Sequence, residues 1–370
     1  MLYRYGTDAS GKIVKKAVVY TKDEHLISNS KIDPDALQII NRLRDAGFTA
    51  YIVGGAVRDL IVGNTPKDFD IVTDATPSKI KKIFRNSRII GRRFRLVHVV
   101  FGQKIFEVST FRSNAEGSVG NDFGTIEQDV QRRDFTLNAL YYDPIQEHVI
   151  DYVGGMRDIK KHVLRPVISI DSIFIEDPVR MLRAIKYSAT THAKMSFSLR
   201  RKIRQSANLL GQISPSRLTE EMLKIINSGH SYDIILEAID TDLFMYLQPS
   251  AAAMIFDNKE IENSFLMNLK KMDELVREEP SVRLGKKLYF IIYDFISSLT
   301  DWKKETAQKY SSSELYTKTW TECRKFVLPM NPQRKELEFA VKSVLNSLGV
   351  SIRVQPKAKS KINGSVQGNA

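Results

Sequence analysis

The sequence predicts an α+β protein, in which an N-terminal α/β head with a small mixed sheet is followed by an all-helical remainder. Short apolar strands alternate with helices from Tyr51 to about Asp158. After residue 172 the strand signals fade, and apolar residues recur at helical spacing from Asp177 to about Leu348. A chain of 370 residues is longer than the chains that usually fold around a single hydrophobic core, so two or more domains are expected.

Local signals predict the elements of the head. Residues 1–33 are polar and are predicted to be irregular, apart from an apolar patch at 17–20. Asp33-Pro34 is typical of a helix start, and Thr76-Pro77 supplies the N-cap and first residue of a second helix. Strands are predicted at 51–53, 69–72, 96–101 and 105–110.

Charge and cysteine content narrow the class of protein. Lysine and arginine outnumber aspartate and glutamate by 56 to 43, a net charge of +13. This excess favours a polyanionic partner, nucleic acid before anionic membrane, although a merely basic soluble protein can have the same composition. The single cysteine, Cys323, excludes an intrachain disulfide and a cysteine-based zinc site. The longest apolar run, 288–296, is interrupted by Asp294, so a cytoplasmic location without membrane association is expected.

The Gly54-Gly55 turn and the segment Asp68-Phe69-Asp70 together predict a nucleotide and metal site. A strand that runs through a Gly-Gly turn into a helix presents backbone amides to a polyanion. Asp68 and Asp70 are two residues apart on the next strand, so both carboxylates face one side and can hold divalent metal. Two Mg²⁺ ions there can activate a hydroxyl and neutralise departing pyrophosphate. An isolated Asp-x-Asp pair often faces only solvent, but its place after the glycine turn favours nucleotidyl transfer.

Glu107 is the candidate third metal ligand. It lies in the apolar segment 105–111, where a carboxylate is unusual and suggests a functional role. The alternative is an edge-strand charge exposed to water. Arg112 follows the same segment, and it can either pair with phosphate or cap the strand.

Arg132, Arg133, Asp134 and Asn138 form the next polar cluster. The adjacent arginines supply forked donors for triphosphate or ribose oxygens, and Asp134 can orient one of them. Asn138 offers a donor and an acceptor to a sugar hydroxyl. The alternative is a salt-bridged helix start capped by Asp134.

Asp177 and Arg180 open the first long helix after the head. Their i, i+3 spacing places a carboxylate beside a guanidinium, which together can read the edge of a nucleobase. A purely structural role fits the same residues, with Asp177 as N-cap and Glu176 paired with Arg180 at i, i+4.

A basic stretch between Lys79 and Arg95 contains eight basic and no acidic residues. Its end, with Arg92, Arg93 and Arg95 around Phe94, suits contact with RNA backbone and bases. A solvated surface is the alternative.

These motifs, in this order, resemble the class II tRNA nucleotidyltransferase and bacterial poly(A) polymerase family of the polymerase-β-like superfamily. The resemblance runs from about Glu24 to Gly229. It implies that Asp68, Asp70 and Glu107 are catalytic and hold two Mg²⁺ ions. It implies that residues of the glycine turn, the arginine cluster and the helix start bind the nucleotide, namely Gly54, Gly55, Arg58, Arg112, Arg132, Arg133, Asp134, Asn138, Asp177, Arg180 and Arg183.

The same resemblance implies a domain order. After an N-terminal extension (1–33) come a nucleotidyltransferase head (34–158), a helical neck (159–230) and a helical body and tail that bind RNA (231–355). The final segment, 356–370, contains three lysines and no aromatic residue, which is typical of disorder. The stretch Gly154–Asp158 matches the family's flexible connection between head and neck.

The segment 89–99 is similar to the signature of the bacterial poly(A) polymerases. The expected activity is therefore addition of AMP from ATP to RNA 3′ ends without a template. A shorter C-terminal half and a shortened segment between Arg112 and Arg132 leave addition of CCA, or of A, to tRNA as the alternative. A second alternative is an RNA-binding protein that kept the fold without catalysis. RNA 3′ ends and nucleoside triphosphates are the expected partners.

Overall fold

The computed structural model describes residues 1–8, 10–91, 96–113, 123–302, 304 and 311–350. The chain divides into two compact units. The first contains Met1–Ile213 and Glu237–Leu243, and the second contains Ser214–Leu236 and the residues from Phe244 onward. The borders predicted at 33, 158 and 230 stay predictions, and the predicted disordered segment 356–370 lies outside the described residues.

A nine-stranded mixed sheet dominates the first unit, with strand order β1-β2-β9-β8-β3-β4-β7-β6-β5. The β4–β7 pair is parallel, and the other pairs are antiparallel. The strands are β1 (Leu2–Thr7), β2 (Ile13–Tyr20), β3 (Ala50–Val53), β4 (Asp70–Thr73), β5 (Ser87–Ile90), β6 (Leu96–Phe101), β7 (Lys104–Thr110), β8 (Leu140–Asp143) and β9 (His148–Asp151).

The N-terminal residues are not irregular, and this prediction was wrong. β1 and β2 form an antiparallel hairpin that joins the sheet through β2 and β9, with Val19 opposite Ile150. The sheet is therefore larger than predicted. The physical reason is that β1 lies at the edge and buries none of its residues, so it lacks the apolar alternation that marks a half-buried strand.

Helices cover both faces of the sheet. The helices of this part are α1 (Lys22–His25), α2 (Pro34–Asp45), α3 (Gly55–Ile61), α4 (Pro77–Ile83) and α5 (Ile126–Gln131). On one face, Ile52, Ile71 and Val108 pack with residues of α2, α3 and α4 in a large apolar core. On the other face, Val53, Val72 and Tyr141 form a smaller core with Val130 of α5. We call these the large-core face and the small-core face.

The remainder of the first unit is helical. Its helices are α6 (Gly155–Lys160), α7 (Ile173–Glu176), α8 (Val179–Thr191) and α9 (Phe197–Ser206), and a parallel pair is formed by β10 (Val163–Leu164) and β11 (Lys194–Met195). The stretch Gly154–Asp158, which is predicted to connect head and neck flexibly, begins α6, and its flexibility stays a prediction. Buried Asp151 holds this start, because its carboxylate accepts the backbone N–H groups of residues 153–156.

The second unit is built from packed helices, as the sequence predicts. They are α10 (Pro215–Ile226), the first part of α11 (Ser231–Asp240), α12 (Phe244–Leu247), α13 (Pro249–Asp257), α14 (Lys259–Glu278), α15 (Leu284–Ser298), α16 (Ser312–Phe326) and α17 (Arg334–Ser347). The α+β class is confirmed by this architecture. Within the described parts of the chain, no helix combines the length and apolar character needed to cross a membrane.

Candidate active site

The glycine turn follows buried strand β3 and leads into α3. Gly54 has φ +77°, a conformation that side chains with a Cβ rarely adopt, so glycine allows the sharp turn. A Cβ built on Gly54 would lie 3.9 Å from Oδ2 of Asp70. Val53 and Asp70 are also paired in the β3–β4 ladder. The turn and the Asp70 carboxylate are therefore neighbours.

Asp68 and Asp70 are exposed on either side of buried Phe69. The Phe69 ring is 8% exposed and belongs to the large-core face. Because successive side chains of an extended segment point to opposite sides, the two carboxylates project away from that core. Oxygen donors of this kind suit Mg²⁺, so the residue types fit the predicted metal.

Glu107 occupies the register position beside Asp70. Ile71 is paired with Val108 in the parallel β4–β7 ladder. The preceding residues, Asp70 and Glu107, therefore lie side by side on adjacent strands, both on the small-core face. The Glu107 carboxylate is 56% exposed and lies 3.6 Å from Nε2 of His98. Among the described residues, no three His, Cys, Asp or Glu side chains are grouped closely enough to hold a metal ion. A third-ligand role for Glu107 stays a prediction.

A closed polar triangle underlies the arginine cluster. Arg133 donates to the Asp129 carboxylate over 2.9 Å and to the Tyr141 hydroxyl over 2.8 Å. The Tyr141 hydroxyl donates to the same Asp129 oxygen over 2.8 Å. Arg132 approaches the other Asp129 oxygen at 3.7 Å, and the backbone N–H of Arg112 donates to it over 3.3 Å. One buried carboxylate thus organises three predicted nucleotide ligands.

Among the described residues, the guanidinium groups of Arg112, Arg132 and Arg133 all interact with the Asp129 carboxylate. Burial and nearby Arg112 lower the pKa of Arg132 to about 10. Burial also lowers the pKa of Arg112, despite the attraction of Asp129. Burial would raise the pKa of Asp129, but Arg133 and its other partners outweigh it and hold the pKa below the usual range. Negative charge placed nearby would therefore stabilise the charged forms of Arg112 and Arg132.

Arg58 and Asn138, which both belong to the predicted nucleotide site, are bonded to each other. Nη1 of Arg58 donates to Oδ1 of Asn138 over 2.6 Å, and Nε and Nη2 donate to Asp59. The guanidinium carbon lies 5.7 Å from the ring centre of Tyr187. Arg58 consequently joins α3, the turn at 136–138 and α8.

The start of α8 is tied to the arginine cluster through Arg180. Its side chain donates to Glu176 over 2.9 Å, as the structural alternative predicts, and to the backbone carbonyl of Arg132 over 3.0 Å. Asp177 accepts the Val179 N–H over 3.2 Å, and it lies just before the helix. Arg183, one turn further along α8, lies 3.6 Å from the Asp134 carboxylate.

Sequence reasoning missed Asp129, Tyr141 and Asp151. A signal for Asp129 was available, because it lies four residues before Arg133 in a helical segment, which is an ion-pair spacing. Tyr141 carries no such signal, since its partner Asp129 lies on another element. The predicted RNA-binding residues Arg92, Arg93 and Arg95 lie outside the described residues.

Comparison with known proteins identifies the family to which this chain belongs. Residues 50–165 match the family described as the Poly A polymerase head domain, and residues 194–255 match the probable RNA and SrmB-binding site of polymerase A. Poly(A) polymerase I of Salmonella typhimurium is 41% identical over 282 residues, which are 71% of this chain and 61% of that relative. The CCA-adding enzyme of Lactobacillus helveticus is 34% identical over 214 residues, which are 56% of this chain and 53% of that relative.

Among solved structures, the chain resembles the Bacillus stearothermophilus CCA-adding enzyme in complex with CTP. The TM-score is 0.56 at 25% identity, over 85% of this chain and 83% of that one. The chain belongs to the class II nucleotidyltransferase family of bacterial poly(A) polymerases and CCA-adding enzymes. It spans only about six-tenths of the length of its poly(A) polymerase relatives.

Proposed function

We propose that this protein adds AMP from ATP to the 3′ ends of RNA without a template, as a poly(A) polymerase. The observation that carries the proposal is the Asp68-Phe69-Asp70 segment beside the Gly54 turn, on the same face of the sheet as the arginine cluster. Among the relatives, identity to poly(A) polymerase I reaches 41%, compared with 34% for a CCA-adding enzyme. With ATP and RNA as its substrates, a cytoplasmic location remains part of the proposal.

In the proposed reaction, the RNA 3′-hydroxyl attacks the α-phosphorus of ATP, and pyrophosphate leaves. Asp68 and Asp70, with Glu107, are the proposed holders of Mg²⁺. When bound, Mg²⁺ would favour the deprotonated hydroxyl and neutralise charge on the pyrophosphate. The protein side chains contribute mainly position and charge, which dominate catalysis of phosphoryl and nucleotidyl transfer.

The arginine cluster is the proposed triphosphate site. Arg112 and Arg132 are cations held at an energetic disadvantage, because burial and mutual repulsion lower the pKa of Arg132 to about 10. A triphosphate placed against Arg112 and Arg132 would bring negative charge next to both guanidinium groups and stabilise them. Arg58 and Asn138 extend the site towards α3, and the amides after Gly54 complete it.

Asp177, Arg180 and Arg183 are the proposed base-selecting group. Arg180 is only 9% exposed, and its bonds to Glu176 and to the Arg132 carbonyl fix its position. A guanidinium held in this way can present a constant pattern of donors to one base edge. It would also couple base selection to the position of Arg132.

The Arg180→Ala variant tests this role. We expect it to lose the preference for ATP over the other nucleoside triphosphates before it loses incorporation, because the chemistry belongs to other residues. The measurement is incorporation of each triphosphate into one RNA. Unchanged selectivity would remove Arg180 from base recognition and leave it a structural role.

The Asp70→Asn variant tests the catalytic assignment. Asn keeps the size of the side chain but removes its charge, so we expect incorporation to fall by at least about a hundred-fold. RNA binding should stay unchanged, because RNA affinity depends on basic residues. Asp45→Asn is the matched control, since Asp45 is an exposed carboxylate on the same unit outside the site. Incorporation at the wild-type rate by Asp70→Asn would refute the assignment.

Addition of CCA to tRNA is the second candidate, favoured by the likeness to the CCA-adding enzyme in complex with CTP. The deciding experiment offers a tRNA without its CCA end and an unstructured RNA, each with ATP alone or with ATP plus CTP. Long adenylate ladders on both RNAs support poly(A) addition. Three defined additions restricted to tRNA support the CCA activity. No incorporation on either RNA by the wild type would favour a non-catalytic RNA-binding protein.

A further inference from the structure

A cleft in the second unit combines an aromatic ring with several cations. It has a volume of about 870 Å³ and lies between the end of α16, the connecting segment 327–333 and the start of α17. Trp320 contributes its partly exposed ring, and Arg324, Lys325 and Arg334 contribute positive charge. No carboxylate belongs to the described residues that line it.

The three cations of this cleft are differently engaged. Lys325 is paired with Glu322 over 3.0 Å, and Arg334 with Glu338 over 2.8 Å. Within the described part of the chain, Arg324 forms no hydrogen bond or ion pair, and its side chain is exposed. The guanidinium carbon of Arg334 lies 5.8 Å from the Trp320 ring centre. Arg324 is therefore the cation most available to a ligand.

The apolar part of the cleft suits a flat group. Leu328 is 52% exposed although it is a large aliphatic residue, and it lines the same cleft as Trp320. The other tryptophan, Trp302, is 7% exposed and donates its indole N–H to the Ile296 carbonyl. Trp320 is more exposed than Trp302, and its ring lines the cleft.

We propose that this cleft binds single-stranded RNA, with one base stacked on Trp320 and the adjoining phosphate paired with Arg324. Aromatic rings with neighbouring cations are the common means by which proteins hold single strands without reading sequence. Among the described residues, the lining is positively charged and contains no carboxylate, so it favours a polyanion over an uncharged peptide. The inference rests on the proposed function, because that function requires an RNA ligand, and it assigns a defined contact to the second unit.

Quenching of tryptophan fluorescence tests the stacking directly. The full chain is titrated with an unstructured oligoadenylate in the absence of ATP, and Trp320 is the tryptophan that the RNA can reach. We expect saturable quenching in the wild type. In Trp320→Leu, quenching should vanish and affinity should fall about ten-fold, because stacking of one base is lost. Trp320→Phe should restore most of the affinity, since it retains an aromatic face.

The phosphate contact has its own variant and control. Arg324→Ala should reduce the slope of log affinity against log salt by about 0.7, the value for one phosphate of a single strand. Lys318→Ala removes the same charge from the same helix outside the cleft, and it should leave both the salt slope and the quenching as in the wild type. If Trp320→Leu does not fold, wild-type quenching and the Arg324→Ala slope still decide the question.

The outcomes separate this inference from the proposed activity. Absent quenching, or wild-type affinity in both Trp320→Leu and Arg324→Ala, overturns the RNA cleft even if AMP incorporation is normal. Quenching by a proline-rich peptide but not by RNA overturns it in favour of a peptide groove. Normal quenching in a protein that incorporates no nucleotide leaves the cleft intact and overturns the proposed function instead.

Discussion

Asp129 is the residue on which the arginine cluster depends. It is buried, and its carboxylate bonds both Arg133 and the Tyr141 hydroxyl. A buried cation without its partner is costly, whereas an intact buried pair contributes little net stability. The role of Asp129 is therefore to allow Arg133 to remain charged at the site rather than to strengthen the fold.

Removal of the Asp129 charge should be strongly destabilising. We expect Asp129→Ala to lower the free energy of unfolding by about 3 kcal/mol, because the mostly buried Arg133 guanidinium loses its carboxylate partner. Urea titration measures this change. Glu127→Ala is the control on the same helix, since Glu127 is exposed and should change stability little. Equal effects of the two substitutions would contradict the burial argument.

His25 introduces a pH dependence near neutrality. The ring is 2% exposed, its Nδ1 accepts the Ile27 N–H over 2.9 Å, and its Nε2 donates to the Glu147 carbonyl over 2.9 Å. These bonds fit the neutral ring. Burial lowers the pKa of His25, with Glu147 acting in the opposite direction but less strongly.

The sign of the resulting effect follows from proton binding. The unfolded chain takes up a proton near pH 6.5, and the folded chain does so only at lower pH. The stability contributed by the neutral ring is therefore complete above pH 6.5 and is lost as the pH falls towards the lowered value. In urea titrations across this range, His25→Phe should show a smaller loss than the wild type. His162→Asn, at an exposed residue that already has positive φ, should behave like the wild type.

At the scale of elements, the start of α6 depends on one carboxylate at the end of β9. Asp151 Oδ1 accepts the N–H groups of Val153, Gly154 and Gly155, and Oδ2 accepts that of Met156. Gly155 is required for a separate reason, because a Cβ there would overlap the carbonyl oxygen of Thr136. The segment is thus fixed by local bonds and by close packing.

Substitution of Asp151 should therefore destabilise the start of α6. We expect Asp151→Ala to cost about 3 kcal/mol of stability, since several amides lose their acceptor in a buried position. Asp151→Asn should cost less, because its side-chain oxygen can still accept the bonds made by Oδ1. Hydrogen exchange of the amides of residues 153–156 reports the loss at the right place. Unchanged protection of these amides in Asp151→Ala would contradict the capping role.

The elements nearest the site were well predicted from sequence, for physical reasons. β6 has the predicted bounds, and β3, β4 and β7 differ from prediction by a residue at their starts or ends. Each consists of apolar residues with β propensity between turn signals, and such signals are local. The edge strand β1 has no buried residue, so its sequence lacks the pattern of buried apolar residues from which a strand is predicted.

For the whole molecule, a net charge of +13 makes electrostatics the main long-range term. We expect the affinity for an oligoadenylate to fall with salt, by a slope of about −0.7 for each phosphate contacted. Fluorescence anisotropy at increasing salt measures this slope. An oligomer of the same bases with an uncharged backbone is the control, and it should bind weakly without salt dependence. Salt-independent RNA binding would contradict a polyanion-binding surface.

The sequence by itself determined the local chemistry: two carboxylates around an apolar residue, a glycine turn after a buried strand, and adjacent arginines. These features depend on neighbouring residues and on the alternation of an extended chain, which spacing alone encodes. Only the tertiary structure decided the pairs that join distant segments, such as Arg58 with Asn138 and Arg180 with the carbonyl of Arg132. Burial of Asp129 beneath the arginines is also tertiary, because the surrounding core is assembled from strands far apart in the chain.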